Sequence, residues 1–109
     1  MTVDVREEMI YKVQARFDKS KAREFYEKLT DGTIQKQKPD GPSIIDGMNR
    51  AVIDASGLIL WSEICYCSPP LAHERATVLD HYFSVIETEE IDDYREYDGD
   101  SFMDFLSRV

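Results

Sequence analysis

The stretch MIYKVQARF, residues 9–17, decides the fold of this chain, because apolar and polar side chains alternate along most of its length. An alternation with a period of two predicts a β-strand that buries one of its faces. Val13 and Phe17 mark the buried face, whereas Lys12 and Arg16 mark the opposite one. The stretch therefore predicts one strand of a sheet that is covered on a single side.

The residues after this strand predict first a helix and then a β-hairpin. Apolar residues recur every third or fourth position over residues 22–29, which predicts an amphipathic helix. Residues 50–54 and 58–67 are rich in apolar side chains and are joined by a short turn that ends in glycine, so they predict a β-hairpin. Residues 40–50, before the hairpin, fit either a short helix or a further strand.

The second half of the chain predicts one more helix and one more strand. Ser68 can cap a helix and Pro69 fits its first turn, so a helix is expected from there onward. Residues 84–91 are expected to form a strand, although they also fit an extension of that helix. The resulting order resembles the ferredoxin-like βαββαβ sandwich, an α+β fold with an antiparallel sheet and its helices on one face.

Negative charge is concentrated near the C-terminus. The chain has 109 residues and a formal charge of −9, yet residues 87–104 hold nine acids and one base. Residues 1–86 hold 13 acids and 11 bases, which leaves no broad basic face for nucleic acid. We expect residues 1–91 to form the α+β domain. Residues 92–109 are expected to be an acidic loop and a short apolar helix that Ser101 can cap, docked as a C-terminal tail on the domain or on a partner.

Composition favours a cytoplasmic protein without membrane association. No apolar run approaches the roughly 20 residues that span a bilayer, and residues 1–8 lack the apolar region of a secretory signal. The two cysteines, Cys65 and Cys67, are too close along one strand for an unstrained disulfide. Both are therefore expected to be thiols, as in a reducing compartment.

The segment of residues 61–75 carries the residues best suited to catalysis. Cys67 is predicted to lie where an apolar strand meets a helix N-terminus, which lowers the pKa of a thiol. Cys65 lies on the same strand and His73 lies about one turn into the helix, so a thiol beside a histidine is expected to form a nucleophile or redox site. The alternative is two core cysteines and a surface histidine. These residues match no standard zinc spacing, so no metal or cofactor is predicted.

Glu63 is the remaining catalytic candidate. A carboxyl group beside Trp61 in an apolar pocket has a raised pKa and can act as a general acid or base. The competing interpretation is a salt bridge across the sheet from Glu63 to Lys12 or Arg16.

The predicted binding surface combines the uncovered sheet face with the C-terminal helix. Its residues are Trp61, Arg16, Lys12, Phe102 and Phe105. Exposed apolar area of this kind marks an interface or needs burial within its own domain. We therefore expect a small binding or interaction domain that forms a homo-oligomer and whose further partner is a small molecule or a protein. The alternative is a small enzyme or thiol-dependent redox protein that uses the cysteine–histidine junction.

Overall fold

A computed structural model describes residues 9–38, 40–65 and 70–109 of the chain. In these ranges five strands form one antiparallel sheet and four helices pack around it, which confirms the predicted α+β class. The strands are β1 (Met9–Phe17), β2 (Val52–Ile53), β3 (Leu58–Cys65), β4 (Phe83–Ile91) and β5 (Asp100–Ser101). The helices are α1 (Ala22–Thr30), α2 (Gly41–Arg50), α3 (residues 72–82) and α4 (Phe102–Ser107). None of the helices in the described ranges is long and apolar enough to cross a membrane.

The sheet has the order β4-β1-β3-β2-β5, with β1 between two long neighbours. The register pairs Arg16 with Leu58 of β3, and Phe17 with Phe83 of β4. Alternate side chains of β1, such as Val13, lie in one core cluster with residues of the helices. The predicted strand at residues 9–17 and the strand preferred for residues 84–91 are both confirmed.

Residues 40–50 form a helix, so the strand interpretation of that segment is wrong. Ile44 and Met48, four residues apart, are both buried on the side that faces the sheet. Gly47 lies between them because α2 packs closely on β3, and a Cβ atom there would lie 3.1 Å from the ring of Trp61. Since the helix continues to Arg50, the first arm of the predicted hairpin is reduced to the two residues of β2.

The second long helix begins later than the sequence predicts. The predicted cap at residues 68–69 lies outside the described residues, and Leu71 has a left-handed φ of 62°. The helix therefore begins after Leu71. Residues 75–79 wind as a π-helix, which rotates the later side chains relative to an α-helix. Val78 and Tyr82 consequently face the core.

Residues 92–99, called the strap below, connect the two edges of the sheet across its open face. The strap leaves β4 at one edge and joins β5 at the other. The amide of Arg95 donates to the Ser62 hydroxyl at 3.1 Å, and the Tyr97 hydroxyl lies 2.9 Å from the same oxygen. Lys12 lies 5.7 Å from the centroid of the Tyr97 ring. Ser62 is therefore buried although it lies on the open face.

Helix α4 returns the chain to the covered face of the sheet. Its predicted cap forms, because the Ser101 hydroxyl accepts a hydrogen bond from the amide of Asp104 at 3.2 Å. The ring of Phe102 packs edge-on against Phe17 at 5.0 Å, and Leu106 is buried beside it. Residues after 91 thus contact both faces of the sheet. The division of the chain at residue 91 stays a prediction that truncation tests.

Candidate functional site

The junction between β3 and α3 places the predicted catalytic residues in different surroundings. Cys65 is 5% exposed at the end of β3, and its sulfur accepts a hydrogen bond from the amide of Leu71 at 3.3 Å. His73 lies on the exposed side of α3, with Nδ1 2.7 Å from a carboxylate oxygen of Asp40. Cys67 lies outside the described residues. The structure therefore joins His73 to the start of α2, and Cys65 to the start of α3.

Glu63 faces the helices and not the open side of the sheet. In the register of β1 and β3, Glu63 pairs with Tyr11, whereas Lys12 pairs with Ser62. Because successive residues of a strand point to opposite faces, Glu63 and Lys12 lie on different sides of the sheet. The same argument applies to Arg16, so the predicted salt bridge from Glu63 to either base is wrong.

A buried pair of glutamates forms the chemical centre of this junction. Glu63 is 3% exposed, and the indole Nε1 of Trp61 donates to its Oε1 at 2.8 Å. Glu74 of α3 is 2% exposed and its side chain lies beside that of Glu63. Burial, followed by hydrogen bonding with Glu63 and by the charge of Glu63, raises the pKa of Glu74 to about 11. Burial also raises the pKa of Glu63.

One proton held between the two carboxyl groups accounts for this arrangement. Within the described residues, Oε2 of Glu63 and Oε1 of Glu74 have no hydrogen-bond donor. A proton on one of the two carboxyl groups would give the pair a donor of the kind that these atoms lack. Two adjacent buried carboxylates cannot both ionise, so the pair keeps at least one proton at neutral pH. The pair can therefore hold, donate and recover a proton.

Charges at the end and the start of α2 act on the pair from outside. Arg50 lowers the pKa of Glu63, whereas Asp40 raises the pKa of both glutamates. Arg50 is itself ion-paired with Asp46 at 2.7 Å. Its positive charge is thus shared between the surface carboxylate and the buried pair.

A cleft of about 370 Å³ lies beside the pair. Glu63 lines it, together with Pro42, Ser43, Asp46, Arg50, Ile64 and Tyr94. Its volume falls within the range of small-molecule pockets. Within the described residues no group of three or more histidine, cysteine, aspartate or glutamate side chains is placed to hold a metal ion.

The predicted binding surface needs correction at two of its residues. Trp61 is 1% exposed and Phe102 is 0% exposed, so neither side chain presents a surface. Both lie on the covered face because the register and the return of α4 place them under the helices. Phe105 is partly buried, Lys12 lies beside the strap, and Arg16 is exposed on the open face.

Glu74 is the member of the buried pair that the sequence did not identify as a candidate. It lies three residues after Leu71 and four before Val78, both of which are buried apolar residues. This helical spacing places Glu74 on the inward side of α3. The spacing was thus a usable signal, but its partner Glu63 becomes visible only once α3 is packed on β3.

Comparisons with protein-family models, with curated proteins and with solved structures found no match to this chain.

Proposed function

We propose that this chain is a small cytoplasmic interaction domain that self-associates through the open face of its sheet. The observation that carries the proposal is a row of bases beside a row of acids on that face. Lys12 and Arg16 of β1 form the basic row, and Lys12 pairs directly with Glu89 of β4. Glu87 pairs with Gln14, two residues further along β1 than Lys12, so Glu87 lies on the same face as Glu89 and extends the acidic row.

Two copies related by a two-fold axis can align these rows with opposite charges in contact. In such an interface the same patch serves both subunits, so the bases of one copy meet the acids of the other. Leu58 and Leu60 of β3 are only partly buried and add apolar area to the patch. The strap contacts the open face at Lys12 and Ser62. Arg16 and Leu58 pair with each other four residues further along these strands, so this end of the face lies away from those strap contacts.

We also propose the ferredoxin-like assignment for this sheet. Strands β3 and β4 are both antiparallel to β1, so they are parallel to each other, with α3 between them in sequence. Strands β1 and β2 flank β3 in the same way, with α1 and α2 between them. Two interleaved βαβ units of this kind support the assignment. Helix α2, strand β5 and helix α4 are additions to the plain βαββαβ order.

Reversing the basic row should weaken self-association at least about tenfold, because four attractive contacts per dimer become repulsive. The variant is Lys12→Glu with Arg16→Glu, measured by sedimentation equilibrium at physiological salt. Adding Glu87→Lys and Glu89→Lys to it should restore the native dissociation constant. Lys36→Glu with Lys38→Glu changes the net charge equally on exposed residues away from the sheet and should have little effect. A wild-type chain that stays monomeric at millimolar concentration would refute the proposal.

A small enzyme at the β3–α3 junction is the second candidate. The observation that favours it is the proton shared by Glu63 and Glu74 beside a cleft, because a carboxyl group that stays protonated at neutral pH can act as a general acid. The thiol-dependent form of this proposal has a direct test on Cys65.

In a Cys67→Ser variant, Cys65 is the one remaining cysteine, since the chain contains two. We expect iodoacetamide at pH 7 to alkylate it at least about a hundredfold more slowly in the native protein than in urea, because the sulfur is buried beside a carboxyl pair. Mass spectrometry against time gives both rates. Rapid native alkylation with an apparent pKa below about 8.5 would instead support thiol chemistry.

A further inference from the structure

The strap and the end of α2 enclose a second cleft, of about 410 Å³. It shares Arg50 and Tyr94 with the cleft beside the glutamate pair, and its volume suits a small organic molecule. The residues that line it are Arg50, Val52, Tyr94, Arg95, Glu96 and Tyr97. Four of these belong to the strap, so the acidic segment is part of the wall and not only a solvated connection.

The lining of this cleft is less acidic than the chain as a whole. Two arginines line it although the chain carries a formal charge of −9. Arg50 is ion-paired with Asp46, whereas Arg95 makes no ion pair within the described residues. Glu96 is the one acid in the lining. Arg95 is therefore the group of this cleft that is available to pair with a single negative charge on a ligand.

Both tyrosine rings of the cleft are held in place by their neighbours. The guanidinium of Arg50 lies 4.6 Å from the centroid of the Tyr94 ring. Tyr97 is fixed by its hydroxyl contact with Ser62 and by the ammonium of Lys12. Rings that are already ordered offer flat apolar surfaces at little entropic cost on binding.

We propose that this cleft binds a flat organic carboxylate, with the carboxylate on the Arg95 guanidinium and the flat apolar body against the tyrosine rings. A guanidinium matches a carboxylate through two parallel hydrogen bonds, which gives the ligand a defined orientation. A phosphate dianion suits the cleft poorly, because Glu96 and the overall negative charge oppose a second negative charge. The proposal is independent of self-association through the sheet face.

Titration of the full-length ¹⁵N-labelled chain with sodium benzoate tests this site. We expect saturable shifts of the amide signals of Arg95 and Tyr97, with a midpoint at least about tenfold lower than for benzyl alcohol or for inorganic phosphate. Benzyl alcohol has the ring without the charge, and phosphate has the charge without the ring. Ionic strength is held constant with sodium chloride. Equal midpoints for benzoate and phosphate would show a general anion patch and overturn the proposal.

Substitutions then separate the cleft from the charge of the whole chain. Arg95→Gln should weaken benzoate binding at least about tenfold, because it removes the charged partner of the carboxylate. The fold should persist, because the contacts of Arg95 with Ser62 use backbone atoms. Arg108→Gln makes the same chemical change at an exposed position near the C-terminus and should bind benzoate as the native chain does. Native affinity in Arg95→Gln would overturn the assignment of the site.

Discussion

A chain that ends at Ile91 should not fold cooperatively, because residues 92–109 complete the core from both sides of the sheet. Helix α4 supplies Phe102 and Leu106, and both are essentially inaccessible to solvent. Large-to-small truncations of such residues cost about 3–5 kcal/mol for phenylalanine and 2–5 kcal/mol for leucine. Their sum rivals the whole stability of a domain, which is about 5–15 kcal/mol. Circular dichroism and urea unfolding of the truncated chain measure the loss.

Single substitutions in α4 test whether the stability depends on the packing of its buried side chains or only on the presence of residues 92–109. Phe102→Ala should lower the unfolding free energy by about 3–5 kcal/mol, since its ring packs on Phe17, Phe25 and Phe83. Phe105→Ala is the matched control and should cost less, because that ring is only partly buried. A truncated chain with a cooperative transition within about 2 kcal/mol of the native one would instead identify residues 92–109 as a separate docking element.

Elements with a strong local pattern were predictable from the sequence alone. The alternation along residues 9–17 and the spacing over residues 22–29 each specify one buried face without reference to the rest of the chain. The cap at Ser101 needs only its own hydroxyl and an amide three residues on. These elements formed where the sequence placed them.

The candidate site was only half predictable, because its geometry depends on packing between distant segments. Alternation along β3 groups Trp61 with Glu63, but only the register with β1 shows that helices cover this face. The contact of Glu63 with Glu74 further depends on where α3 begins, and the left-handed Leu71 sets that point. Local spacing cannot supply either fact. The salt bridge expected for Glu63 was wrong for the same reason.

Two sets of carboxyl groups make the stability of the fold depend on pH in opposite directions. Glu74 keeps its proton in the folded chain up to a pKa of about 11, but in the unfolded chain only below 4.5. Between these two pKa values folding requires the uptake of one proton. The free energy of unfolding therefore falls by about 1.4 kcal/mol for each unit by which the pH rises. Hydrogen bonds from Ser20 and Ser56 lower the pKa of Asp18 and Asp54, so their contribution is lost in acid. Stability should therefore peak at about pH 4, between the ordinary pKa values of 3.8 for these aspartates and 4.5 for Glu74.

Replacing Glu74 with glutamine should raise the unfolding free energy at pH 7 by about 3 kcal/mol, because the neutral amide needs no proton uptake and can still donate to Glu63. The gain should shrink to below about 1 kcal/mol at pH 5, because that pH lies only half a unit above the ordinary glutamate pKa of 4.5 and proton uptake there costs little. Urea unfolding followed by the fluorescence of Trp61 at pH 5, 7 and 9 measures both values. Glu89→Gln makes the same change on the exposed sheet face and should leave the pH profile unchanged. If the glutamine variant and the native chain lose stability in parallel between pH 5 and 9, the two glutamates do not share a proton.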